Sequence, residues 1–218
     1  MSMEVDHLVV AANTLEEGRA WCERVLGVSP QPGGRHALMG THNLLLNISG
    51  PPTYPRCYLE IIAIDPEAPD PGRPRWFDLD QPAVRERLKE DGPSLLHWVA
   101  RVQSLDATLA TWSGEGVDAG EAVEAARGDL SWRIALREDG RRLRKEGLPV
   151  PIEWKGDAHP TDKLPESGVQ LLGFEARDGL RAQLSTPKGT VELEAIEGTL
   201  SDAPTQSGDL DDVLPAAR

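Results

Sequence analysis

The sequence predicts a single α+β domain assembled from repeated βαβββ units, and three observations carry that prediction. The first is the order of periodic segments. A β-branched apolar run, a helical pattern and further short apolar runs follow one another, and the same order restarts near residue 95. The second is a spacing. Asp6-His7-Leu8-Val9-Val10-Ala11 aligns with Leu96-His97-Trp98-Val99-Ala100-Arg101 at an offset of 90, Leu26-Gly27-Val28 with Glu115-Gly116-Val117 at 89, and Tyr58-Leu59-Glu60-Ile61 with Pro151-Ile152-Glu153-Trp154 at 93. The third is bulk: 218 residues, 39% of them hydrophobic, can bury a sizeable core, and no run approaches the roughly 18 apolar residues of a membrane helix.

The elements follow in order. Val5 to Ala12 is apolar and β-branched and reads as a strand. Thr14-Leu15-Glu16-Glu17 is a capping box opening a helix that runs to about Leu26, with Gly27 as its stop. Gln31 to Gly34 reads as a loop, Arg35 to Met39 and Asn43 to Ile48 as two short strands, and Cys57 to Ile64 as a strong one. The proline-rich stretch 65–93 reads as a linker with a short helix from about Pro82 to Lys89. Leu95 to Val102 is the next strand, Ser104 caps a helix through Trp112, and Leu130 to Leu136 and Val150 to Trp154 are strands, the latter irregular because of Pro151. Val169 to Ala176 and a hairpin, Arg181 to Ser185 and Thr190 to Ile196 about Thr186-Pro187-Lys188-Gly189, close the fold. The organisation expected is one domain over 1–197, with module one at 4–64, the linker at 65–93, module two at 94–155 and an extra β unit at 168–197; 198–218 is an acidic tail expected to be disordered.

Composition excludes several functions. The net charge of −13 argues against nucleic acid, since the one dense basic stretch, Arg137 to Lys145, is interrupted by Glu138 and Asp139. The acidic start Met1 to Asp6 lacks the basic and apolar regions of a secretory signal, so a cytoplasmic protein with no membrane partner is expected. Cys22 and Cys57 read as small core residues. No phosphate loop, nucleophile elbow or Cys-x-x-Cys pair occurs.

The repeat places a histidine in the first strand and a glutamate in the last strand of each module: His7 and Glu60, His97 and Glu153. Side chains alternate across a strand, so a curved sheet with one face on helices leaves the other to line a cleft where two imidazoles and two carboxylates converge. That set suits a divalent transition metal such as Zn, Ni, Fe or Mn. Glu60 is the most informative residue, because it sits between Leu59 and Ile61 in a strand apolar on both faces. A buried carboxylate costs several kcal/mol without a partner, so it needs a cation, a donor or a raised pKa, and Arg35 or Arg101 is the alternative to a metal. His36 and His42 flank a turn at Gly40-Thr41. Trp98 and Trp154 read as core, facing away from His97 and Glu153, and His159 reads as a loop histidine.

Asp6 to Ala11, His36-Ala37-Leu38-Met39-Gly40-Thr41-His42-Asn43 and Tyr58 to Ala63 together resemble the glyoxalase-like group of the vicinal oxygen chelate (glyoxalase/bleomycin resistance/dioxygenase) superfamily. The resemblance implies paired modules forming a cup-shaped mixed β-sheet with helices outside. In metal-bearing members the ligands come from first and last strands, which here implies His7, Glu60, His97 and Glu153, with Glu192 or Glu194 as the alternative fourth ligand if the C-terminal unit closes the second cup. His36, Thr41, Asn43 and Tyr58 are the expected substrate wall. The expected function is action on a small organic molecule, with a metal polarising adjacent substrate oxygens and Glu60 or Glu153 exchanging between ligand and base, as in a lyase, isomerase or dioxygenase. The alternatives are a metal-free binding or sequestration protein using the same cleft, or an interaction protein with a relic cleft; a homodimer is left open.

Overall fold

A computed structural model describes residues 3–143, 147–177 and 179–196. The acidic tail at 198–218 and part of the basic stretch ending at Lys145 lie outside the described residues. In chain order the elements are β1 (Glu4–Ala11), α1 (Leu15–Val25), β2 (Gln31–His36), β3 (Thr41–Asn47), β4 (Tyr58–Ile64), α2 (Pro82–Asp91), β5 (Ser94–Arg101), α3 (Leu105–Gly114), β6 (Glu121–Arg127), β7 (Leu130–Leu136), β8 (Val150–Trp154), β9 (Gln170–Glu175), β10 (Arg181–Thr186) and β11 (Gly189–Glu194). No helix among them is long and apolar enough to cross a membrane.

The first eight strands form one mixed sheet in the order β2-β3-β4-β1-β5-β8-β7-β6, strongly curled into a half-barrel, the cup-shaped α+β arrangement that the sequence predicts. The order reads the same from either edge. The first strands of the two βαβββ units, β1 and β5, pair antiparallel at the centre. Each then pairs parallel with the last strand of its own unit, His7 opposite Tyr58 and Val99 opposite Val150. β9, β10 and β11 form a separate antiparallel sheet.

Burial explains the layering. On the convex side Leu8, Val10, Leu44, Leu46, Leu59 and Ile61 pack with Trp21 and Cys22 of α1 and with Leu171, Leu184 and Leu193 of the small sheet. Gly18 makes this approach feasible, because a Cβ there would overlap Ile61 Cγ2. Both cysteines are buried free thiols, and burial pushes Cys22 up to about 12. On the concave side Val9, Ala11, Ile62, Leu96, Ile134 and Ile152 pack with Phe77, Leu79 and the α2 residues Val84 and Leu88. The proline-rich stretch is therefore more than a linker: it covers one end of the cup.

Two strands depart from the expectation. Gln31-Pro32-Gly33-Gly34, read as a loop, is most of β2, an edge strand whose register shifts between Pro32 and Arg35. Proline is tolerated at an edge and the glycine pair at a bulge. Glu121–Arg127, to which no strand was assigned, is β6 at the opposite edge. Its Glu- and Ala-rich composition carries little β-propensity, and pairing with β7 over its whole length decides the matter.

Candidate functional site

Register decides which side chains enter the cup. Val9 is paired with both Glu60 and His97, and residues opposite each other share a face. His7, two residues before Val9, lies on that concave face with them. A cavity follows, lined by His7, His36, Asn43, Tyr58 and Glu60 on one wall and by Arg127, Trp132, Ile134, Ile152 and Trp154 on the other, with Trp76 and Phe77 across it. The free space between the walls is about 30 Å³ and opens to solvent, so a ligand of more than a few atoms extends into its mouth.

His7 is held by its own neighbour. Adjacent residues of a regular strand point to opposite faces, but the pairing with β5 jumps from Val5 to His7, so Asp6 is bulged. The bulge brings Asp6 Oδ1 to 2.7 Å from His7 Nδ1. Asp6 is fully buried. Its Oδ2 accepts from Trp154 Nε1 at 2.9 Å, lies 3.1 Å from His159 Nε2 and 3.4 Å from Arg101 Nη1. Burial acts to raise this carboxyl, yet the hydrogen bonds and charges of His159 and His7 outweigh it and hold Asp6 well below the usual carboxylate range. An ionised Asp6 makes Nδ1 of His7 the protonated nitrogen and turns Nε2 toward the cavity. The His7 ring stacks on Tyr58 at 4.5 Å, and burial lifts the Tyr58 phenol well above its ordinary range.

Glu60 is 5% exposed, and its partners come from module one alone. Asn43 Nδ2 donates to Oε1 at 2.5 Å, His7 Nε2 lies 3.7 Å from Oε2, and His36 Nε2 lies 3.9 Å from Oε1. The Asn43 amide is fixed from its other end, where Oδ1 accepts from the Gly34 N–H at 2.7 Å. His36 Nδ1 lies 3.0 Å from Thr41 Oγ1. Burial pushes the His36 imidazole down, toward the neutral form. The structure thus brings together His7, His36, Thr41, Asn43, Tyr58 and Glu60.

It does not bring Glu153 to them. In β8 the residues aligned with the concave face are Val150, Ile152 and Trp154, so Glu153 points the other way. There its Oε2 accepts from the Leu105 N–H at the start of α3, at 2.7 Å, and lies 3.8 Å from Arg133 Nη1. The cause is register. First and last strands pair with the same spacing in both units, so the counterpart of Glu60 is Val150, at the offset of 90 that also relates His7 to His97. The alignment at 93 slips by three, an odd number, and an odd slip exchanges the faces of a strand. Trp154, expected in the core away from the site, therefore lines the cup. His97 is buried on the concave face beside Phe77, 6.1 Å between ring centroids, but does not line the cavity. Glu192 and Glu194 are exposed on β11, and Glu194 pairs with Arg181.

These donors do not fit the four-ligand metal centre expected from the sequence. Two of the four side chains lie elsewhere, and the Asn43 amide already occupies Glu60 Oε1. Among the described residues no group of three or more His, Cys, Asp or Glu side chains is arranged to hold an ion. Four contributors escaped the sequence reading: Asp6, His159, Trp76 and Arg127. His159 caps a short 3-10 turn at Pro160–Asp162 that carries its ring onto Asp6. Trp76 meets His36 edge-on at 4.9 Å.

The sequence profile of the glyoxalase-like domain matches residues 5–206. No curated protein matches the chain. Among solved structures, a methylmalonyl-CoA epimerase variant from Streptomyces coelicolor in complex with 2-nitronate-propionyl-CoA is 17% identical, over 72% of this chain and 98% of its own, with a TM-score of 0.45. The Mycobacterium tuberculosis methylmalonyl-CoA epimerase is 18% identical over 71% and 89%, with a TM-score of 0.41. A hypothetical protein from Staphylococcus aureus is 12% identical and shares the fold over 92% of this chain and 88% of its own, with a TM-score of 0.50.

Proposed function

The chain belongs to the glyoxalase-like domain family, and from that premise we propose that it acts on a small carbonyl compound in the cup, with Glu60 moving a proton to and from the carbon beside the carbonyl. The observation that carries the reading is the placement of Glu60. It is a buried carboxylate, oriented by Asn43, with one oxygen turned toward the Nε2 of an imidazole whose other nitrogen is anchored by Asp6. A carboxylate and an unprotonated imidazole nitrogen held 3.7 Å apart suit removal of a proton from carbon and its relay to and from solvent.

In this reading the α C–H bond breaks and the proton passes to Glu60. The electron pair moves to the carbonyl oxygen and leaves an enolate, while the proton gained by Glu60 can exchange with solvent through the unprotonated His7 Nε2 beside it. Reversal returns a proton to carbon. Trp132 and Trp154 offer flat apolar surface to the rest of the molecule and keep water away, which strengthens the electrostatics of the pair. No step is routed through a metal, because the donor set does not support one.

The aromatic second wall also favours a second reading, in which the cup only sequesters an apolar small molecule. One experiment separates them. The protein is incubated in D2O with 2-oxo-4-phenylbutyrate or 4-phenyl-2-butanone, and loss of the α-proton signal is followed by NMR. We expect deuterium uptake above the buffer rate, reduced at least about 100-fold in Glu60→Gln. Undiminished uptake in Glu60→Gln contradicts the role of Glu60. Binding without uptake leaves sequestration.

A further inference from the structure

We infer that the ligand of the cup is an anion, a small carboxylate-bearing compound whose carboxylate is anchored by Arg127. The inference rests on the cup being the binding site and adds the class of molecule that it takes. Arg127 ends β6 and reaches the cavity from the opposite edge of the sheet, against β2. Gly34 gives it the space: a Cβ there would lie 2.5 Å from Arg127 Cδ and 2.6 Å from Nη1. The edge glycine that obscured β2 in the sequence is thus the slot for this side chain.

The guanidinium has few protein partners. Its one hydrogen bond among the described residues is long, from Nη1 to Asn43 Oδ1 at 3.4 Å, and no carboxylate among them lies within ion-pair distance. The half-buried Arg75, Arg101 and Arg133 and the buried Arg142 each have a carboxylate partner, whereas the half-buried Arg19 and Arg73 have none among the described residues but, unlike Arg127, do not line the cavity. Those of its five donors not bonded to Asn43 are open to solvent, where a ligand can reach them. Guanidinium is suited to a planar, two-pronged grip on a carboxylate.

Placement supplies the rest. Among the described side chains lining the cavity Arg127 is the one permanent cation and Glu60 the one carboxylate. They are separated by a single amide: Asn43 donates to Glu60 through Nδ2 and accepts from Arg127 through Oδ1. A 2-oxo acid, with its carboxylate two bonds from its acidic carbon, spans such a gap while placing its carbonyl between them. The flat surfaces of Trp132 and Trp154 accept an apolar remainder.

The test compares 2-oxo-4-phenylbutyrate with 4-phenyl-2-butanone, which replaces the carboxylate by a methyl group. Binding is titrated by NMR on the Arg127 Nε–H resonance, assigned by its loss in Arg127→Lys, and on the tryptophan indole N–H signals. The wild type should bind the acid about 10- to 100-fold more tightly than the ketone, the worth of a charge-assisted hydrogen bond. That preference should fall to near parity in Arg127→Met. Should Arg127→Met not fold, Arg127→Lys keeps a charge without the two-pronged grip and should retain only part of the preference. Equal affinities in the wild type, or a preference that survives Arg127→Met, overturn the inference; Glu60-dependent deuterium uptake by the ketone would then still support the cup. If neither probe binds the wild type at millimolar concentration, the cup reading falls and the inference with it.

Discussion

At the scale of single residues, the site turns on a bulge. Asp6 and His7 are neighbours in sequence, and strand alternation would part them. The skipped residue in the pairing with β5 lets the carboxylate reach Nδ1. His7 and Glu60 were legible as candidates because each is a polar group in an apolar strand; Asp6 was not, because a bulge leaves no mark on the residue pattern. Asp6→Asn removes the charge that fixes the His7 tautomer. We expect 15N NMR to find the proton on Nδ1 of neutral His7 in the wild type and a mixture of tautomers in the variant, with any Glu60-dependent uptake lowered by about 100-fold or more. A pH effect follows from the lowered Asp6 value. In the unfolded chain this carboxyl takes up a proton near pH 4. Its contribution to stability is therefore intact above about pH 4 and is lost as pH falls from there toward the lower native value. Denaturation measured at successive pH values should show a loss below pH 4 in the wild type that is smaller in Asp6→Asn.

Among the elements, the segment between α2 and β4 is the one most at odds with its composition. Six prolines over 65–93 suggest a spacer, but Trp76 and Phe77 pack into the cup. Phe77 and Asp78 do so with φ of 57° and 61°, a left-handed backbone that costs non-glycine residues about 1–2 kcal/mol each. The offset comes from Asp78, whose buried carboxylate accepts from Arg142 Nε at 2.8 Å. Neither half of that pair announces itself in sequence, since they lie 64 residues apart. Asp78→Ala should cost about 3–5 kcal/mol in urea denaturation by removing the buried carboxylate that Arg142 Nε donates to, and Asp78→Ala with Arg142→Met should recover part of it. No recovery would mean that the pair does not hold the segment. β6 escaped notice for a related reason: its edge position is decided by tertiary pairing with β7, against its own propensity.

Across the whole molecule, two units of one topology share the work unequally. The strand order and the 90-residue offset preserve the repeat, which is why the fold could be read from the sequence. The chemistry is not preserved. Unit one supplies the acid–base wall, and unit two has Val150 where unit one has Glu60 and adds Trp132, Trp154 and Arg127. An alignment of motifs cannot see this, because Glu153 satisfies the pattern while the register turns it outward. The account stands on proton transfer by Glu60 without an ion, and one measurement meets that claim directly. Deuterium uptake into 2-oxo-4-phenylbutyrate is followed with protein dialysed against EDTA and verified metal-free by elemental analysis. The predicted result is a rate unchanged by dialysis or by added Zn²⁺, Ni²⁺, Fe²⁺ or Mn²⁺; a rate abolished by the chelator and restored by one of those ions would contradict it.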